Sequence, residues 1–227
     1  MRRENSGVVF LSAGGLGDTV LFSLIFPRLA KVAHKDEVIT LIVREESTKL
    51  GFLFDAGVNL YAVNFDRLTR NRKYRKNTCN WLYEKSFRLA ISTDFLRHPK
   101  KDDVLIKACK ANETVGMEPR PWKKYAYEQK RNRAIYDRLF DSGPVILDKV
   151  VRWARFADWL TEEYLPPPQI QFTSEYIPPT TVDTCSTVVF APFSAVTKKQ
   201  CPTILFEAIT DQISNNYDIT IVGTAND

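Results

Sequence analysis

Residues 14–18, Gly-Gly-Leu-Gly-Asp, follow the apolar run 8–11 after only Ser12 and Ala13. Glycines at Gly14, Gly15 and Gly17 allow a tight turn and let a ligand approach the backbone N–H groups closely. Asp18 then stands where a helix should begin. A carboxylate there can cap the helix, since it accepts an orphan N–H and complements the helix dipole. It can equally receive a proton from a substrate hydroxyl held against the turn. A second group stands far along the chain, where Ser194, Thr197, Lys198 and Lys199 follow an apolar strand and precede Pro202. Hydroxyls and ammonium groups at the carboxyl end of a parallel strand suit a phosphate, because open α/β sheets bind ligands at that edge. The plainer reading makes the two lysines an exposed turn, with Pro202 opening a helix.

The elements that must hold these groups alternate. Apolar, β-branched runs predict strands at 8–11, 38–43, 60–64 and 89–93, and helical spacing predicts helices near 19–33, 45–56, 80–86 and 103–110. This alternation predicts βαβ units on a mainly parallel sheet. Val20, Leu21, Leu24, Ile25, Leu29 and Val32 share one face of the first helix, which Pro27 should kink or interrupt. Residues 113–149 read as irregular, basic and aromatic. A helix is predicted over 150–160, with Val150, Trp153, Ala154 and Ala157 toward a core.

The prolines at 166–168 and 178–179 cannot continue a helix and mark a boundary, with a short strand-like stretch at 169–172 between them. The reading is therefore a Rossmann-like domain over 1–163, a linker over 164–186, and the first βαβ unit of a second domain over 187–227. That unit has a strand at 187–193, a helix at 203–214 and a strand at 219–223. One such unit cannot cover both faces of a parallel sheet, so the chain is expected to continue in the natural protein.

The 227 residues carry a formal net charge of +5, concentrated in 67–76 and 120–133. Such runs are either solvated faces or contacts for a polyanion: nucleic acid, an anionic membrane or a phosphorylated substrate. Cys79, Cys109, Cys185 and Cys201 are irregularly spaced and only His34 and His98 accompany them, so neither a zinc site nor a disulfide framework is suggested. Free thiols and the lack of a secretory pattern at the N-terminus fit a cytoplasmic protein. The longest apolar stretch, 20–26, is far too short to cross a bilayer.

Several motif classes fall away. The dinucleotide fingerprint counted from Gly15 fails at its third glycine, which is Val20. The chain lacks the Gly-Lys-Ser/Thr of a phosphate loop, the Gly-x-Ser-x-Gly of serine hydrolases and any Asp-x-Asp pair; Asp102 and Asp103 are adjacent, and adjacent side chains diverge. No helix-turn-helix, RNA-recognition or zinc-finger pattern accompanies the basic runs, so nucleic acid is not the expected partner. A nucleotide-binding module without catalysis is the rival that a Rossmann-like architecture leaves open.

Taken in order, Gly-Leu-Gly-Asp at 15–18 with Pro27 and Leu29 behind it, then Pro-Phe-Ser at 192–194, Thr-Lys-Lys-Gln-Cys-Pro at 197–202 and Ile-Thr-Ile-Val-Gly-Thr-Ala-Asn-Asp at 219–227, resemble glycosyltransferase family 9, the lipopolysaccharide heptosyltransferases and their relatives. The resemblance follows the order of elements through most of the chain, with its motifs in these short segments. It implies a GT-B-type α/β fold, an acceptor-side domain followed by a nucleotide-sugar domain, and inverting transfer without a metal or other cofactor. It implies Asp18 as the catalytic base, Lys199 beside the donor phosphates, and Ser194, Thr197 and Lys198 on the same phosphate-side loop. Cys201 stands where the family commonly has tryptophan, and the family's later donor-binding segment lies beyond Asp227. Within this scheme Arg120, Lys123, Lys124, Lys130 and Arg131 could grip a phosphorylated or lipid-linked glycan acceptor, with a peripheral contact to an anionic membrane. The alternative for that stretch is an exposed loop with Trp122 packed onto the domain.

Overall fold

The computed structural model describes residues 7–166, 168, 186–193 and 200–223. The chain divides into two compact units, 1–170 and 171–227. The first is built on a six-stranded parallel sheet in the order β3-β2-β1-β4-β5-β6. Its strands are β1 (Gly7–Leu11), β2 (Val38–Arg44), β3 (Val58–Val63), β4 (Leu89–Ser92), β5 (Glu113–Met117) and β6 (Arg138–Phe140). This is the doubly wound order, with its reversal between β1 and β4. The register pairs Val8 with Ile39 on one side and with Leu89 on the other.

Helices cover both faces, and the alternation of side chains along β1 divides the core in two. Val8 and Phe10 point to one face, where they meet Phe22 of α1 (Leu16–Ser23), Phe26 and Leu29 of α2 (Phe26–Ala30), and Trp153 and Phe156 of α7 (Lys149–Thr161). Val9 and Leu11 point to the other. There they join Leu68 of α3 (Phe65–Arg70), Leu82 of α4 (Arg72–Glu84), and Leu105, Ile106 and Cys109 of α5 (Asp102–Cys109). Burial on both sides explains why the central strands read as continuous apolar runs rather than alternating ones.

The helix expected over 19–33 begins three residues earlier and breaks into α1 and α2. Pro27 lies in the first turn of α2, where its missing N–H costs no hydrogen bond. The segment Glu45–Leu53 is a 3-10 helix rather than an α-helix. The stretch 113–149, read as irregular, holds β5, β6, α6 (Ala126–Asn132) and two 3-10 turns, Lys123–Tyr125 and Arg133–Ile135. β6 has only three residues, too few to show a period, and it exists because Met117 and its neighbours offer a paired edge.

The second unit is a βαβ element: parallel strands β7 (Thr187–Phe190) and β8 (Asp218–Ile221) joined through α8 (Thr203–Ile213). Phe190 meets Phe206 edge to face, with ring centroids 5.2 Å apart. Val189 and Ile221 are exposed.

Candidate active site

The carboxyl ends of β1, β2 and β4 open into a cavity of about 670 Å³. It is lined by Ala13, Gly14, Gly15 and Asp18 from the glycine turn, by Arg44 and Phe65, by Asp94, His98, Lys101 and Asp102, and by Arg120, Trp122, Lys123 and Lys149. All of these residues belong to the first unit.

The glycine turn carries Asp18 in a defined orientation. Asp18 is the third residue of α1, and its Oδ2 accepts the N–H of Gly15 at 3.2 Å. Its Oδ1 lies 2.9 Å from Nζ of Lys149, the first residue of α7. The capping role and the functional one therefore share a single side chain: one oxygen closes the helix start, the other faces a cation in the cavity. Lys149 stands against the dipole of its own helix, which favours acids at that end. Asp148 satisfies that helix start by accepting the Val151 N–H at 3.0 Å. Trp153, one turn along, places its ring 4.9 Å from the Lys149 ammonium.

Asp94 lies two residues past the end of β4. Its Oδ2 accepts the Ala13 N–H at 2.5 Å, which ties the glycine turn to the neighbouring strand. Burial pushes its carboxyl above the usual range, and the charge of Asp18 adds to this; Lys149, the Ala13 N–H and Arg44 pull the other way. Arg44 steadies the same turn by donating from Nε to the Ala13 carbonyl at 2.6 Å.

Asp102 and Asp103 diverge, as adjacent side chains must. Asp103 turns inward to Nε of Arg97 at 2.9 Å, both side chains 1% exposed, and accepts from Tyr136 Oη at 2.8 Å and Asn132 Nδ2 at 2.9 Å. The Arg97 approach is a charge contact without hydrogen-bond alignment; its Nη1 donates instead to the Met117 carbonyl at 2.8 Å. Asp102 turns to the cavity. Its Oδ2 accepts the His98 N–H at 2.5 Å, while Oδ1 is buried with no hydrogen-bond partner. Burial, reinforced by Asp94, pushes its carboxyl up to about 8. Burial, and after it the charge of Lys101, lower the affinity of His98 for a proton. The His98 ring meets those of Trp122 and Tyr125, at 5.6 and 4.7 Å between ring centroids.

The basic residues singled out in the sequence separate in space. Arg120 and Lys123 line the cavity. Lys124 lies over the Tyr125 ring at 5.2 Å, outside the lining. Lys130 is exposed on α6, and Arg131 borders a different hollow, beside Lys107 and Lys110. Ser194, Thr197, Lys198 and Lys199 lie outside the described residues. Sequence reasoning missed Lys149, Asp94, Asp102 and Arg44. Asp94 and Arg44 had a signal, a charged residue immediately after or at the end of an apolar strand; Lys149 had none, because nothing local says that the start of α7 faces Asp18. Among the described residues no cluster of His, Cys, Asp and Glu suits a metal ion.

No family model matches the sequence, and no curated protein does. Solved structures do. The heptosyltransferase WaaC of E. coli, with ADP-2-deoxy-2-fluoro heptose, superposes with a TM-score of 0.68 at 13% identity over 96% of this chain and 70% of that one. The same enzyme with ADP gives 0.68 and 13% over 96% and 68%. A glycosyltransferase family 9 protein of Veillonella parvula DSM 2008 gives 0.69 and 16%, over 100% of this chain and 65% of that one. The chain thus has the α/β fold of these GT-B-type glycosyltransferases and spans 65–70% of their length.

Proposed function

We propose that the chain is the acceptor-side domain and the start of the donor-side domain of an inverting, metal-independent glycosyltransferase. Its donor is a nucleotide-sugar, a heptose or a related sugar, and its acceptor an anionic glycan of the lipopolysaccharide-core kind. The observation that supports this best is the placement of Asp18: a carboxylate at the switch-point edge of a fold shared with sugar-nucleotide transferases, lining a cavity wide enough for a saccharide.

In the proposed step the acceptor hydroxyl oxygen attacks the anomeric carbon as its proton passes to Asp18. The bond from that carbon to the diphosphate oxygen breaks, and the electron pair leaves with the nucleoside diphosphate. Attack from the opposite side inverts the carbon. A positioned base contributes roughly 10²–10⁴ in rate. Lys149 keeps the carboxylate directed into the cavity, and Arg120 and Lys123 meet the acceptor's anionic groups. The leaving diphosphate is assigned to Lys199 and Lys198 with Ser194, Thr197 and the N–H groups that open α8. The sequence has no Asp-x-Asp pair to hold a divalent ion there.

The test is nucleotide release from ADP-, GDP-, UDP- and dTDP-sugars by the natural full-length protein, with and without chelator. Asp18→Asn should lower kcat at least about 100-fold at unchanged melting temperature. Lys149→Met should lower it about tenfold, with recovery in Lys149→Arg. Asp94 is the competing base because its raised carboxyl also faces the cavity. Normal turnover in Asp18→Asn with loss in Asp94→Asn would transfer the role. Release from no donor would leave the non-catalytic nucleotide-binding module as the better description.

A further inference from the structure

Of the four tryptophans in the chain, Trp122 has surroundings unlike the rest. Trp153 is 1% exposed, Trp81 lies flat on Tyr61 at 7° between ring planes, and Trp159 stacks on Phe156 at 18°. Trp122 is 40% exposed and lines the cavity. Its contacts with His98 and Tyr125 are T-shaped, at 83° and 86°, so neither ring stacks flat on the indole. Leu96, 54% exposed, and Pro121 line the same cavity. Large apolar side chains left open to water inside a concave site serve a ligand better than they serve the fold.

The segment carrying Trp122 is held in place. The Arg120 N–H donates to the Phe95 carbonyl at 2.8 Å, and the Arg120 carbonyl accepts from Gln129 Nε2 at 3.1 Å. His98 then links the indole to Asp102, meeting the first with its ring and donating its backbone N–H to Oδ2 of the second. Asp102 is 3% exposed and lines the cavity, and its Oδ1 has no hydrogen-bond partner among the described residues. Because Oδ2 accepts an N–H, the proton of the neutral acid belongs on Oδ1, a donor with nothing to receive it. An apolar ring face beside such a donor fits a pyranose, which has C–H bonds on its faces and hydroxyls around its rim. The polarised C–H groups meet the negative face of the indole. Asp18 of α1, Arg44 of β2 and Lys149 of α7 line the same cavity and suit the other hydroxyls. A nucleobase carries hydrogen-bonding groups along part of its rim only and would leave most of these unanswered.

We infer that Trp122 determines specificity for one pyranose ring of the acceptor, which lays a C–H face on the indole beside Leu96 and takes a hydrogen bond from Asp102. The ring's place in an acceptor rests on the proposed function; its binding does not require turnover. Burial, Asp94 and Asp103 favour the protonated acid, the His98 N–H and Arg97 oppose it, and the balance keeps the proton up to about pH 8. Above that pH the donor is lost, so sugar affinity should fall about tenfold between about pH 7 and 9. His98, whose affinity for a proton is lowered, changes charge below that window.

The experiment is a saturation-transfer NMR titration of the natural full-length protein with methyl α-mannopyranoside and methyl α-glucopyranoside, without any donor. At least one should bind, and more weakly at the higher pH. Trp122→Ala should weaken binding at least about tenfold, and Trp122→Phe only about threefold. Asp102→Asn keeps a donor at every pH, so it should bind as well at about pH 9 as at 7. Tyr127→Ala, which removes an exposed ring outside the cavity lining, should change nothing. Circular dichroism checks each fold, and Trp122→Phe decides the matter if Trp122→Ala unfolds. Binding of neither pyranoside, unchanged binding in both Trp122 variants, or the wild-type pH dependence in Asp102→Asn would overturn the inference. So would adenosine binding more tightly than either sugar and depending on Trp122. Turnover without pyranoside binding sinks this inference alone, and pyranoside binding without turnover sinks the transfer step alone.

Discussion

Asp102 is the residue whose environment departs furthest from water among those facing the cavity. Its carboxyl, pushed up to about 8 by burial and by Asp94, stays protonated in the folded chain at pH values where the unfolded chain has lost the proton. Between about pH 4 and 8 folding therefore takes up a proton here, and stability falls as pH rises, by up to about 1.4 kcal/mol per pH unit. His98 works against this near its own range, since burial and Lys101 lower its affinity for a proton in the folded chain, so that acid favours the unfolded chain there. Urea unfolding of wild type and Asp102→Asn at a series of pH values separates the two: the difference between the curves should decline steadily from pH 5 to 8. A flat difference would mean that Asp102 is ionised in the fold. The neutral acid matters chemically, because only a protonated carboxyl can donate a hydrogen bond to a ligand oxygen in the cavity.

At the scale of elements, the β1–α1 turn shows which glycine the site requires. A Cβ on Gly14 would stand 2.4 Å from Cβ of Asp18 and 3.0 Å from its Oδ2, whereas one on Gly15 or Gly17 meets nothing within 4 Å. Gly14→Ala must push Asp18 out of place, so it should lose transfer activity about as severely as Asp18→Asn. Gly17→Ala fills open space on a helical residue and should raise stability by about 0.4–1 kcal/mol with activity retained. Turnover and thermal melts of the two variants make the comparison; equal behaviour would remove the special role of Gly14. The same turn was legible in sequence because glycine and apolar runs act locally. The strands β5 and β6 were not, since Glu113, Gly116 and Arg138 are poor strand formers that pair only because a neighbouring strand presents its edge.

For the whole molecule, both core clusters are made from side chains between Val8 and Leu160. Among the described residues, the apolar burial that holds this sheet therefore comes from the first unit itself. Residues 1–170 expressed alone should melt in one cooperative transition and keep the fluorescence of the buried Trp153, whose indole N–H donates to the Thr93 carbonyl at 2.8 Å. Non-cooperative melting, read by calorimetry, would show that the second unit contributes to that core. The buried Arg97–Asp103–Tyr136 group belongs to this scale too, because it joins the β4–α5 loop to the segment before β6 and so holds the part of the cavity lining that this loop carries.

From sequence alone came the parallel α/β class, the glycine turn, Asp18 as the acid to examine, and the basic runs as surface features. Each depends on neighbours within a few residues: strand period, turn conformation, charge per length of chain. Tertiary structure alone decided which charges meet. Lys149, 131 positions beyond Asp18, reaches its carboxylate only because α7 packs back across α1 and α2. Asp94 and Asp102 acquire raised affinities for protons only once the sheet and α5 exclude water from them. Pair distances and desolvation are properties of the packed chain, and no local pattern encodes them.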